Sequence, residues 1–140
     1  MLAGHRREVV PGLLPGPGGG MDLLTSSVSS REGYPLVRLE GESDVTVRGR
    51  LRTALTAQAA AAKPHLVVDL SGLSFIDCSC LRVLWQVSRM EEEAGGSLRL
   101  AAPQPTVARV MELGGVDQVI GVHDSVANAV IAANGTGPAR

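Results

Sequence analysis

Aromatic side chains are almost missing from this 140-residue chain: one Trp, one Tyr and one Phe, 2% of the residues. That removes the stacking platforms by which proteins hold RNA or single-stranded DNA. A basic block is missing too. Net charge is −1, so neither nucleic acid nor an anionic membrane surface would be gripped electrostatically. No run approaches the ~20 apolar residues of a membrane span. Cysteine is limited to Cys78 and Cys80, neighbours too close to reach bridging geometry readily. Both read as reduced thiols, as in a cytoplasmic protein. The three histidines, at 5, 65 and 123, are scattered and complete no zinc site with those thiols. No glycine cluster runs into Lys-Ser or Lys-Thr, and no Ser sits in a nucleophile elbow. The expectation is a protein with no cofactor, no metal and no enzymatic activity.

What is present is an apolar fraction of 44%, enough for one folded domain whose core is Leu, Val, Ile, Ala and Met. Residues 1–20 carry His5-Arg6-Arg7, a short apolar stretch broken by Pro11 and Gly12, then Pro15 to Gly20. They read as a flexible N-terminal tail, not a signal peptide. Met21 follows directly and is a candidate translation start in place of Met1. Residues 134–140 read as a C-terminal tail. The domain is expected over 21–133.

Within it, Leu23–Val28 and Tyr34–Leu39 read as strands joined by a turn over Ser29–Gly33, with Gly41-Glu42-Ser43-Asp44 ending the second. Leu51, Ala54, Leu55, Gln58, Ala59 and Ala62 form a helical stripe. Asp44 or Thr46 would cap it, and Lys63-Pro64 would stop it. Leu66–Leu70 is a short apolar strand suited to burial on both faces. Ser71-Gly72-Leu73 reads as a turn, and Asp77–Ala94 as a long helix ending at Gly95-Gly96. Ser97–Ala101 is a strand. Pro103 or Pro105 starts a helix that Gly114-Gly115 stops. Val119–Val122 is a strand, and Asp124-Ser125 caps a last helix over Val126–Ala133. The order β-β-α-β-α-β-α-β-α predicts an α/β domain, a mainly parallel sheet with an opening hairpin.

The start of the long helix, Asp77-Cys78-Ser79-Cys80, carries the most chemistry. Asp77 as N-cap would accept from the N–H of Ser79 or Cys80. At about 100° per residue, with Ser79 as zero, Arg82, Gln86, Arg89 and Glu93 cluster on a polar face. Val83, Leu84, Val87, Met90 and Ala94 mark a core face, with Leu81, Trp85 and Ser88 completing a broad apolar surface. Cys80 turns inward. Ser79 lies at the edge of the polar face, accessible at a helix N-terminus that tolerates negative charge. Arg82, three residues on, would meet a phosphate placed there.

The stretch Val67-Val68-Asp69-Leu70-Ser71-Gly72-Leu73-Ser74-Phe75-Ile76-Asp77-Cys78-Ser79-Cys80-Leu81 resembles the signature of the STAS domain. More narrowly, it resembles the bacterial anti-sigma factor antagonists. Their pattern is an apolar strand, Asp-Leu-Ser-Gly-Leu, then Phe-(apolar)-Asp-Ser-Ser-Gly-Leu. The likeness continues through Ala94–Leu100, Pro105–Val110 and Leu113–Asp117, and upstream through Leu39–Asp44, covering roughly 23–133. It implies a single STAS-like domain, a mixed sheet with helices packed against it.

The resemblance also implies a function. In that family the second Ser of the motif, here Ser79, is phosphorylated by an anti-sigma factor serine kinase, and a serine phosphatase reverses this. The unphosphorylated form binds the kinase and so releases a sigma factor, which it affects only indirectly. Asp77 matches the capping Asp. Glu42, Asp44, Cys78, Arg82, Gln86 and Arg89 are the expected partner contacts. Three positions depart from the pattern: Ser43 stands at an apolar position, Cys78 replaces the first Ser, and Cys80 replaces Gly. Two other readings stay open. One is a non-phosphorylated STAS scaffold in a signalling or lipid-transport complex; the other is a redox sensor or enzyme that uses Cys78.

Overall fold

The computed structural model describes residues 24–59 and 65–134. The expected N-terminal tail, the C-terminal tail beyond Asn134, the Met21 start and the Lys63-Pro64 helix stop lie outside the described residues.

Five strands form one sheet in the order β1-β2-β3-β4-β5. Strands β1 (Leu24–Arg31) and β2 (Tyr34–Ser43) make an antiparallel hairpin. Its turn is two residues, Glu32 and Gly33, both at positive φ, the geometry that matches the twist of a hairpin. The turn is thus tighter than Ser29–Gly33, and both strands run further than their hydrophobic patterns indicate. Strands β3 (His65–Ile76), β4 (Ser97–Ala101) and β5 (Gly121–His123) add in parallel. A short 3₁₀ turn, Val45–Val47, leads from β2 into helix α1 (Arg48–Ala59). Helices α2 (Cys78–Glu93), α3 (Pro105–Leu113) and α4 (Val126–Asn134) follow their strands in turn. The last helix therefore includes Asn134, and the last strand starts two residues later than Val119.

The expected turn at Ser71-Gly72-Leu73 is instead strand. Continuous pairing carries β3 along β2, with Glu40 opposite Gly72, Gly41 opposite Leu73 and Ser43 opposite Ile76. Two register shifts, between Arg38 and Glu40 and between Gly41 and Glu42, each take up one extra residue of β3. Gly72 is needed for close approach: a Cβ there would stand 2.7 Å from Glu40 Cγ and 3.0 Å from the Leu39 carbonyl oxygen. A Ser-Gly pair is a turn signal only when the backbone has no ladder to join.

One sheet face carries the main core. Val37, Leu39, Leu66, Val68, Leu70, Leu98 and Leu100 pack against Leu51, Leu55, Val83, Leu84, Val87, Val107 and Met111 from α1, α2 and α3. The other face is covered by α4, where Ala129 and Val130 meet Leu36, Val67 and Ala101. The extended β3 is the central strand of the sheet, and it delivers Asp77, the first residue of the candidate site, just past its C-terminal end.

Candidate functional site

Asp77 follows β3 in an extended conformation and caps α2. Its Oδ1 accepts the backbone N–H of Cys80 at 3.0 Å and the hydroxyl of Ser79 at 2.7 Å. One orphan donor of the helix terminus is thereby satisfied. Burial pushes the Asp77 carboxyl up, but the hydrogen bonds from Ser79 and Cys80 outweigh it, and the net shift is below the ordinary value. Asp77 therefore presents a full negative charge to the Ser79 hydroxyl at neutral pH. Ser79 itself is half-buried, in the second position of the helix.

Cys80 points inward, as its angular position predicts, and is fully buried. Its backbone φ is negative, so the third helical position accepts a side chain without strain. The Cys80 thiol fills core volume and finds two partners from the end of β2. Ser43 Oγ donates to Cys80 Sγ at 3.0 Å, and the thiol reaches the Asp44 carbonyl oxygen at 3.4 Å. Ser43 is also fully buried, and its carbonyl accepts the N–H of Asp77 at 3.1 Å. Burial pushes the Cys80 thiol up to about 11, so it stays protonated and inert. Asp44 turns its carboxylate the other way and caps the 3₁₀ turn, accepting from Thr46 N–H at 2.9 Å and Thr46 Oγ1 at 2.5 Å.

The remaining expected contacts divide into two groups. Glu42 is exposed at the end of β2, opposite Phe75 in register. With Asp44 it lies beside the Asp77–Ser79 turn. Cys78 and Arg82 are exposed and line a groove of about 560 Å³ together with Leu81, Trp85, Gly114, Gly115, Val116 and Val119. Arg89 lies further along α2, its guanidinium 5.1 Å from the centre of the Trp85 ring. At 1.5 Å per residue it sits about 15 Å from Ser79 along the axis. Gln86 is half-buried, with Oε1 enclosed and without a protein hydrogen-bond partner; it is not among the groove residues. Met90 and Ala94, expected in the core, are exposed. Met90 lies at the margin of the apolar arc, and Ala94 is the C-cap beyond the last turn.

Two features escape the sequence reading, the exposed pair Val45 and Phe75 and the buried Glu91. Val45 and Phe75, 54% and 46% exposed, are apolar residues just after β2 and near the end of β3. Alternation along the strand is the signal that finds Phe75, since its neighbour Ile76 is buried. Trp85 is 41% exposed in the groove wall. Glu91 is buried with neither carboxylate oxygen hydrogen-bonded to protein. Its helical angle, about 120° from Ser79, already falls in the apolar arc.

Among the described residues no group of three His, Cys, Asp or Glu could hold a metal ion. No helix among them is long and apolar enough to cross a membrane.

Residues 26–129 match the STAS domain family. A protein of Mycobacterium tuberculosis, whose name marks it provisionally as an anti-anti-sigma factor, is 35% identical over 108 residues, 75% of this chain and 72% of that one. The anti-sigma-F factor antagonist RsfA of the same species is 28% identical over 111 residues, 78% of this chain and 87% of its own. The crystal structure of an anti-sigma factor antagonist from Mycobacterium paratuberculosis superposes with a TM-score of 0.70 at 26% identity. That match covers 86% of this chain and 99% of the other.

Proposed function

This chain belongs to the STAS domain family, and from that premise we propose that it is an anti-sigma factor antagonist switched by phosphorylation of Ser79. The observation that carries the proposal is the Ser79–Asp77 hydrogen bond at the open N-terminus of α2. With its proton directed to Asp77, the Ser79 oxygen offers its lone pairs outward, toward a phosphoryl donor. In the transfer, Oγ bonds the γ-phosphorus of ATP, the bond to the ADP oxygen breaks, and the hydroxyl proton leaves to a base.

The product carries about −1.5 to −2 charges where a neutral hydroxyl stood. The helix terminus tolerates that charge, so the fold survives. The donor to Asp77 is gone, however, and a dianion then faces the carboxylate. The phosphoryl group must turn outward, toward the exposed Arg82 and the docking surface. A partner packed over Phe75, Val45 and the Trp85 groove would have to bury that charge, only part of which Arg82 offsets, at a cost in desolvation and repulsion.

The partner is an anti-sigma factor serine kinase, and its sigma factor is released when this chain binds. A serine phosphatase resets the switch. The relatives' names support the antagonist reading, and the motif at Asp77–Leu81 supports the site. The test is incubation with ATP and an anti-sigma serine kinase, sought first among the neighbouring genes. Phosphate is expected on Ser79 by peptide mass spectrometry, and the phosphorylated chain is expected to lose the kinase in a pull-down. Equal labelling of Ser79→Ala would assign the site elsewhere.

A further inference from the structure

We propose that Ser43 and Cys80 form a coupled positioning pair that fixes the Ser79 hydroxyl on Asp77. The proposal rests on the reading of Ser79 as phosphate acceptor and deepens it. Both residues are fully buried, 37 positions apart, with Ser43 Oγ donating to Cys80 Sγ at 3.0 Å. Two of the three departures from the family pattern, a Ser at an apolar position and a Cys in place of Gly, are therefore one physical contact.

The contact continues on both sides. Cys80 Sγ reaches the Asp44 carbonyl oxygen, and the Cys80 N–H holds Asp77 Oδ1, the same oxygen that receives the Ser79 hydroxyl. Ser43 meanwhile accepts the Asp77 N–H through its own carbonyl. The links run Ser43 to Cys80 to Asp77 to Ser79, closed by the backbone bond from Asp77 to Ser43. The end of β2 and the first turn of α2 are thus one rigid unit, and a displacement of Cys80 moves the carboxylate that orients Ser79. A glycine at 80 would leave Ser43 Oγ buried without this partner, and an apolar residue at 43 would leave the thiol without its donor. The Ser43 hydroxyl thus relies on Cys80, while the thiol also holds the Asp44 carbonyl oxygen. Neither residue touches the reacting atoms, so both are positioning residues.

The test is a double-mutant cycle on the full chain with Ser43→Ala, Cys80→Ala, the double variant and the conservative Cys80→Ser. The readout that needs no kinase is amide hydrogen exchange at Cys80 and Ser79, compared with amides in the middle of β3. Each alanine variant is expected to speed exchange at the switch turn about tenfold while the β3 amides keep their rates. The double variant is expected to be no faster than either single, and Cys80→Ser to return toward wild type. With the kinase in hand, the alanine variants should lower kcat for Ser79 phosphorylation about fivefold with KM little changed. Independent, multiplying effects of the two substitutions would overturn the pair. So would an even rise in exchange across the domain, the signature of plain destabilisation. A failure of Ser79→Ala to abolish labelling would refute the phosphorylation site alone, because the exchange cycle reads the pair without it.

Discussion

Ser79 Oγ lies 2.7 Å from Asp77 Oδ1, and that one carboxylate oxygen serves both the helix cap and the proposed phosphate acceptor. The helix cap and the proposed switch therefore share a single atom, and substitutions at the two residues should separate them.

Ser79→Ala removes a donor to Asp77 but leaves the cap bond from Cys80. Loss of one half-exposed hydrogen bond costs about 0.5–1.5 kcal/mol. Urea melts should show that small loss, with binding of the kinase retained and phosphorylation abolished in a mass-spectrometric assay.

Asp77→Ala removes both bonds and the N-cap. The expected cost is about 1 kcal/mol, up to about 2, larger than that of Ser79→Ala. The native Asp77 carboxyl lies below its usual 3.8. It contributes stability that is present above that value and lost as pH falls through the depressed one. The gap in acid melts between wild type and Asp77→Ala should therefore begin to narrow below about pH 3.8 and keep narrowing as pH falls through the depressed value.

Glu91 should make the domain less stable as pH rises. Burial pushes its carboxyl from 4.5 up to about 7, so the folded state binds the proton more tightly than the unfolded chain. Stability from this group is complete below 4.5 and is lost as pH climbs through about 7. The size is of order 2–3 kcal/mol. Glu91→Gln should be less pH-dependent than wild type and more stable above pH 8. Comparing the two isolates this effect from His65 and His123, whose lowered values, caused first by burial, act in the opposite direction below pH 6.5.

Trp85→Ala should spare the fold and weaken the partner. The ring is 41% exposed and carries Arg89 on one side, so thermal melts should move little. A groove-wall tryptophan at the centre of an interface is worth about 2 kcal/mol or more. Calorimetric titration with the anti-sigma kinase should show a Kd at least about thirtyfold weaker. An unchanged Kd would place the partner elsewhere.

The element order and the capped helix were legible because they rest on local rules. A 3.6-residue stripe, an Asp before the first turn and a glycine after the last are each read within a few residues. Angular position along α2 correctly turned Cys80 inward and left Ser79 at the edge, since both follow from helix geometry alone. The same reasoning failed for Met90, which sits at the margin of the arc, where a neighbouring element decides exposure. It also passed over Glu91, because a charged residue inside an apolar arc is not expected to be buried without a partner.

What this sequence determined by itself is an α/β chain in which Asp77 caps a helix and offers Ser79 at its N-terminus, because capping and periodicity act over three or four residues. Only the tertiary structure decided that Ser71–Leu73 is strand, that Val45 and Phe75 stand exposed, and that α2 shares a groove with Gly114, Gly115, Val116 and Val119. It alone joined Ser43 to Cys80. Each of these depends on which distant backbone or side chain arrives as a neighbour, and that is settled by sheet pairing and core packing rather than by local propensity.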